Sequence, residues 1–198
     1  MELDREQQEV AQAAARLIVE EGLDYAGARR KAMQDHGGRL RDGPSNEAIE
    51  DEVRAHIAIF CADTQPAELR VLREAALRWM LRLAEFRPHV GGAVWRGTAT
   101  RNSVIRLDLY CDDTKAPELA LLNRGIDHET VSEPLGRGEH SLTLVISERN
   151  AALGDWVTLH LNVLDLDDLR GALKPDARGQ TWRGDAAALQ RLLEEDAP

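Results

Sequence analysis

The sequence predicts an α+β fold, a helical N-terminal half followed by a mixed β-sheet with flanking helices. Three observations carry that prediction. Apolar residues recur at three- and four-residue spacing from Leu3 to Leu83. The period switches to two at Val104. From there strand-like runs alternate with short helical ones. At 198 residues the chain can bury a sizeable core, and 43% hydrophobic with 30% charged residues is ordinary for a globular protein. With only 4% aromatic residues, that core must rest on Leu, Val, Ile and Ala. The division expected is a helical region over 1–63 and an α+β domain over 64–198.

The first helix is predicted over Leu3 to Glu20, with Val10, Ala13, Ala14, Leu17 and Ile18 on one face and Gly22 as its stop. A second runs from Tyr25 to His36 and ends at Gly37-Gly38, before a Gly- and Arg-rich loop to Pro44. Ser45 or Asn46 caps a third, with Glu47 and Glu50 in its favourable first turn and a stripe of Ile49, Val53, Ile57 and Phe60. Thr64 and Pro66 open a fourth, whose face is Leu69, Leu72, Ala76, Met80 and Leu83 and whose end is expected near Pro88.

Strands are then expected at Val90–Trp95, Val104–Tyr110, Ile126–Val131, Ser141–Ile146 and Trp156–Leu164. In the second of these Ile105, Leu107 and Leu109 share one face, and Val104, Arg106, Asp108 and Tyr110 the other. In the last, Val157, Leu159, Leu161 and Val163 oppose Thr158, His160 and Asn162. Short helices are predicted over Ala116–Asn123 and Asp165–Leu173, and Asp185 caps a final one through Leu189, Leu192 and Leu193.

The run Gly91-Gly92-Ala93-Val94-Trp95-Arg96-Gly97-Thr98-Ala99, followed by Ser103 to Tyr110, resembles the signature of the DNA polymerase β-like nucleotidyltransferase superfamily. That signature is a Gly-Ser turn, often Arg-Gly-Thr-Ala, and then Ser-Asp-Ile-Asp-Leu on the next strand. Gly92, Arg96, Gly97, Thr98, Ala99, Ser103, Ile105 and Leu107 match it. The resemblance covers about residues 68 to 195 and implies a nucleotidyltransferase-like mixed sheet in the second half.

The same resemblance argues against the superfamily's reaction. Nucleotidyl transfer needs hard cations held by carboxylates. Ala93 replaces the Ser, and Val104 and Arg106 replace the two metal-binding Asp residues. The third carboxylate position falls near His160 or Asn162. A guanidinium cannot be deprotonated to admit a metal. The resemblance therefore implies a degenerate member that has no catalytic or metal-binding residues and needs no cofactor. Its remnant cleft would comprise Gly92, Arg96, Gly97, Thr98, Ser103, Arg106, Asp108 and His160. Arg106 opposite His160 would form either an anion pocket or a structural ion pair. An active enzyme with Mg²⁺ displaced to Asp108 is the alternative; against it, Asp108 would pair with Arg106 or a neighbouring strand cation, while Asp112 and Asp113 cap a helix or face water.

Other chemistries find no template. Cys61 and Cys111 lack ligand spacing and are expected to remain reduced. The six His residues show no ligand pattern, and no nucleophile elbow or phosphate loop of the Gly-Lys-Ser type is present. Between Thr64 and Arg101 seven Arg face three Glu, and Arg29-Arg30-Lys31 is a second basic run. The net charge of −10 nevertheless disfavours nucleic acid and anionic membranes. A polar N-terminus predicts no leader peptide and a cytoplasmic protein. Three functions follow as expectations: a degenerate nucleotidyltransferase fold that binds a nucleotide-like anion or a protein partner, a homodimer included; an enzyme with a displaced metal; and a purely structural interaction module.

Overall fold

The computed structural model describes residues 5–37, 43–136, 139–175 and 179–195. It has the predicted α+β architecture. The helices are α1 (Arg5–Glu21), α2 (Tyr25–Asp35), α3 (Asn46–Phe60), α4 (Gln65–Arg82), α5 (Gly92–Arg96), α6 (Ala116–Asn123) and α7 (Ala186–Glu195). The strands are β1 (His89–Gly91), β2 (Ile105–Cys111), β3 (Glu129–Gly136), β4 (Glu139–Asn150), β5 (Asp155–Asp165) and β6 (Arg183–Gly184).

The chain forms two compact units. The first comprises residues 1–68 together with 98–103, and the second comprises 69–97 with 104–198. The division thus falls five residues after the expected boundary at 63, and a six-residue segment returns to the first unit from within the second half. The physical reason lies in hydrogen bonds made by that segment. Thr100 Oγ1 donates to Val19 O at 3.2 Å, and Asn102 Nδ2 donates to Val19 O at 3.3 Å and Glu20 O at 3.1 Å. These carbonyls belong to the last turn of α1, where no intrahelical donor remains. Gln65 Nε2 reaches Ala99 O at 2.9 Å, and Arg101 N reaches the Glu68 carboxylate at 2.9 Å.

The core of the first unit is built on small residues. Val10, Ala11, Ala14, Ala15, Leu17, Ile18 and Val19 of α1 pack with Ala28 and Ala32 of α2 and with Ile49 and Val53 of α3. Asp24 and Ser45 cap α2 and α3 by accepting from Gly27 N and Ala48 N. The stripe expected on α3 stops short: Ile57 is half-buried, and Phe60 is 71% exposed. Phe60 is the last residue of its helix, with its ring tilted against that of His56 at 4.6 Å between centroids.

In the second unit the sheet order is β3-β4-β5-β2-β1-β6. β2 and β5 are parallel, and the other pairs are antiparallel, so the sheet is mixed. Ile105, Leu107 and Leu109 of β2, Val157, Leu159 and Leu161 of β5 and Leu144 and Ile146 of β4 form a buried apolar face. α4 buries Leu69, Leu72, Ala76 and Met80, Leu83 is buried just past its end, and the Arg78–Glu148 ion pair at 3.1 Å ties the helix to β4. α4 ends at Arg82 rather than near Pro88, because a 3₁₀ turn over Ala84–Phe86 and a left-handed Arg87 intervene. The helix expected over Asp165–Leu173 is likewise only a 3₁₀ turn, Leu166–Leu169.

Candidate functional site

The face of the sheet opposite the apolar one is polar, and strand register sets its order. Arg183 and Arg106 both lie opposite Gly91, and Arg106 lies opposite His160 on its other side. One step along, Asp108 lies opposite both His89 and Asn162, and Asn162 lies opposite Thr143. Directly opposed residues point to the same face. Two rows therefore run side by side across four or more strands.

A hydrogen-bond chain runs along the second row and crosses to Arg183. Thr143 Oγ1 donates to Asn162 Oδ1 at 3.1 Å, and Asn162 Nδ2 donates to Asp108 Oδ1 at 2.8 Å. The other Asp108 oxygen, Oδ2, takes Arg183 Nη1 at 2.7 Å. The same nitrogen donates to the Tyr110 hydroxyl at 2.7 Å. His89 meets the Tyr110 ring edge-on at 5.3 Å, and its Nδ1 lies 2.9 Å from Arg87 O. Gly91 has no side chain in the row between Arg183 and Arg106, which leaves Arg183 a path across β1 to Asp108.

Charge and burial reinforce this arrangement. The Asp108 side chain is only 13% exposed, so its charge needs a nearby compensating cation. Burial alone would lower the Arg183 pKa, but the Asp108 carboxylate and the Tyr110 hydroxyl outweigh it and hold the guanidinium above its ordinary value. Tyr110 is pushed up by burial first and by Asp108 and Asp168 further, against the lowering contact with Arg183. Burial also pushes the thiols of Cys61 and Cys111 up, helped by neighbouring carboxylates, so both are poor nucleophiles near neutrality.

The glycine run corrects one expectation. Only His89–Gly91 is strand, and Gly92–Arg96 is the short helix α5 rather than a continuation to Trp95. Gly92 takes φ +63°, and Gly97 takes φ +79° in the left-handed cap that ends α5. Both conformations suit glycine, so the two residues bracket one turn of helix. A Cβ on Gly92 would lie 3.4 Å from Arg106 Cδ, which sets the turn beside the first polar row. Arg73 fixes α5 by donating to Val94 O at 3.1 Å and Trp95 O at 3.3 Å. Trp95 Nε1 donates to Thr181 O at 2.9 Å, and the Trp95 ring lies over Gly184.

The structure gathers Gly92, Arg106, Asp108 and His160 at the polar face. Arg96 is buried under the Trp182 ring, 4.6 Å from its centroid, and Gly97 ends α5. Thr98 and Ser103 belong to the first unit. There the Thr98 hydroxyl is buried without a hydrogen-bond partner among the described residues, and Ser103 Oγ accepts from Thr100 N at 3.0 Å within a turn. The expected ion pair of Asp108 with a strand cation is present, with Arg183 of β6 as the cation. Asp112 and Asp113 are exposed, and Asp113 accepts from Lys115 N at 3.0 Å. Sequence reasoning missed Arg183, because a two-residue strand has no periodicity to read.

The residues do not fit a two-metal centre. Val104 offers no donor, Arg106 places a guanidinium in the row, and both oxygens of Asp108 are engaged. Among the described residues no cluster of three or more His, Cys, Asp or Glu side chains gathers to hold a metal ion. Nor is any described helix long and apolar enough to cross a membrane. No protein-family model matches the chain, and no curated protein is significantly similar to it.

Proposed function

We propose that this chain is a catalytically degenerate nucleotidyltransferase-fold protein that acts by binding and not by nucleotidyl transfer. The observation that carries this reading is the double engagement of Asp108 by Arg183 and Asn162. The last carboxylate on the strand face where a metal would be expected is already neutralised. A metal-free anion site suits the neighbouring row, where Arg106 and His160 lie together beside the Gly92 turn. The ligand class is a nucleotide-like phosphate.

A thermal-shift series with the four ribonucleoside triphosphates, each with and without Mg²⁺ and Mn²⁺, tests it. A ligand that binds only the folded state raises the melting temperature. The expected result is a rise that needs no metal and disappears in Arg106→Asp. A rise that requires metal and is lost in Asp108→Asn would sink the binding-only reading and restore the displaced-metal enzyme.

A protein partner or a second copy of the chain is the other reading, favoured by Ile59 and Phe60, each 71% exposed at the end of α3. Light scattering on the intact chain and on Phe60→Asp distinguishes a dimer from a monomer. Loss of a dimer in that variant supports self-association through α3.

A further inference from the structure

A groove of about 690 Å³ opens in the second unit at the end of α4. Its size lies within the range of small-molecule sites, roughly 300–1,000 Å³. Met80, Leu81, Leu169 and Leu173 wall it, and Leu81 and Leu173 remain 63% and 46% exposed. Two cations, Arg87 and Lys174, line the same groove.

Each cation sits at a turn of special backbone geometry. Arg87 has φ +46° and is the non-glycine residue with positive φ among those described. Side chains adopt that conformation at a cost, and such strain concentrates at functional positions. Lys174 lays its methylene stem across Gly171, where a Cβ would come within 3.1 Å of Lys174 Cε. Gly171 has φ +91°, so the turn itself needs a glycine and leaves the stem a seat. Neither cation has an ion-pair partner among the described residues. The one carboxylate in the lining, Asp185, caps α7, with Oδ1 accepting from Ala188 N at 2.8 Å.

We propose that this groove binds a small amphiphilic carboxylate. Its apolar body lies against the leucine and methionine walls, and its head meets the Arg87 guanidinium and the Lys174 ammonium. Apolar walls supply affinity without direction. The two cations supply the selectivity, since each charge-assisted hydrogen bond to a carboxylate is among the stronger polar contacts. This site shares no cation with the polar rows of the sheet and stands independently of the function proposed for them.

Isothermal titration of the full chain with decanoate, and separately with decanol, tests the proposal. The expected result is one saturable site for decanoate and affinity for the neutral alcohol about tenfold weaker. Arg87→Gly and Lys174→Met should each weaken decanoate binding about tenfold. Arg87→Gly is the informative variant, because glycine accepts the left-handed backbone and the fold should lose no stability. Leu81→Asp, at an exposed wall position, should abolish binding without unfolding the chain. Equal affinity for acid and alcohol, unchanged binding in both cation variants, or no decanoate binding would each overturn the assignment.

Discussion

At the scale of single residues, Asp108 decides what the polar face can do. A carboxylate at 13% exposure needs a compensating cation close by. Arg183 occupies that role permanently, and Asn162 takes the second oxygen. Removing one partner of a partly buried pair leaves the other charge uncompensated. Arg183→Met should therefore cost about 2 kcal/mol in urea denaturation, while Asp108→Asn combined with Arg183→Met should recover part of that loss. Strict additivity of the two substitutions would show that the pair is not coupled. The need for a cation near Asp108 was legible in the sequence, because the strand alternation put it on the polar face. The identity of the cation was not. Arg183 lies 75 positions away along the chain, and only the pairing of β6 with β1 brings it near.

At the scale of elements, local chemistry wrote the helices clearly. Asp24, Ser45 and Asp185 cap α2, α3 and α7 through their own side chains, and each cap can be read from two or three residues. α6 occupies the predicted span Ala116–Asn123, with Pro117 in its first turn and Gly125 just past its end. The stretch from Gly91 to Trp95 was misread because Val94 and Trp95 favour strands when taken alone. Its backbone is decided instead by Gly92, and the burial of Val94 satisfies an apolar residue equally well in a helix. β6 is held by packing more than by length. An added Cβ at Gly184 would fall within the Trp95 ring, and backbone pairing with Val90 limits retreat. Gly184→Ala should destabilise the protein by about 2 kcal/mol and shift the Trp95 contribution to the fluorescence spectrum. An unshifted spectrum with unchanged stability would mean that the ring does not rest on this strand.

At the scale of the whole molecule, fold class was legible and the return of residues 98–103 to the first unit was not. A change of hydrophobic period separates helical from mixed sequence, and that change is local information. Which unit a loop joins depends on where its polar groups find partners, as Thr100 and Asn102 do at the end of α1. Thr98 and Ser103 were expected at the sheet site for the same reason: their motif is continuous in sequence, whereas the units are not. Thr100→Val keeps the shape of a buried side chain and removes its bond to Val19 O, at a cost of about 1 kcal/mol. Hydrogen exchange should then quicken in the last turn of α1 and stay unchanged in β2 and β5. Equal loss of protection in both units would mean that they unfold as one.

The return of residues 98–103 to the first unit also has a consequence in time. A ribosome delivers α1, α2 and α3 first, and those helices can gather their alanine-rich faces at once. The carbonyls of Val19 and Glu20 must still wait for Thr100 and Asn102, which leave the ribosome only after α4, β1 and α5. The N-terminal unit is therefore not a prefix of the nascent chain: its last hydrogen bonds close when much of the second unit's sequence has already emerged.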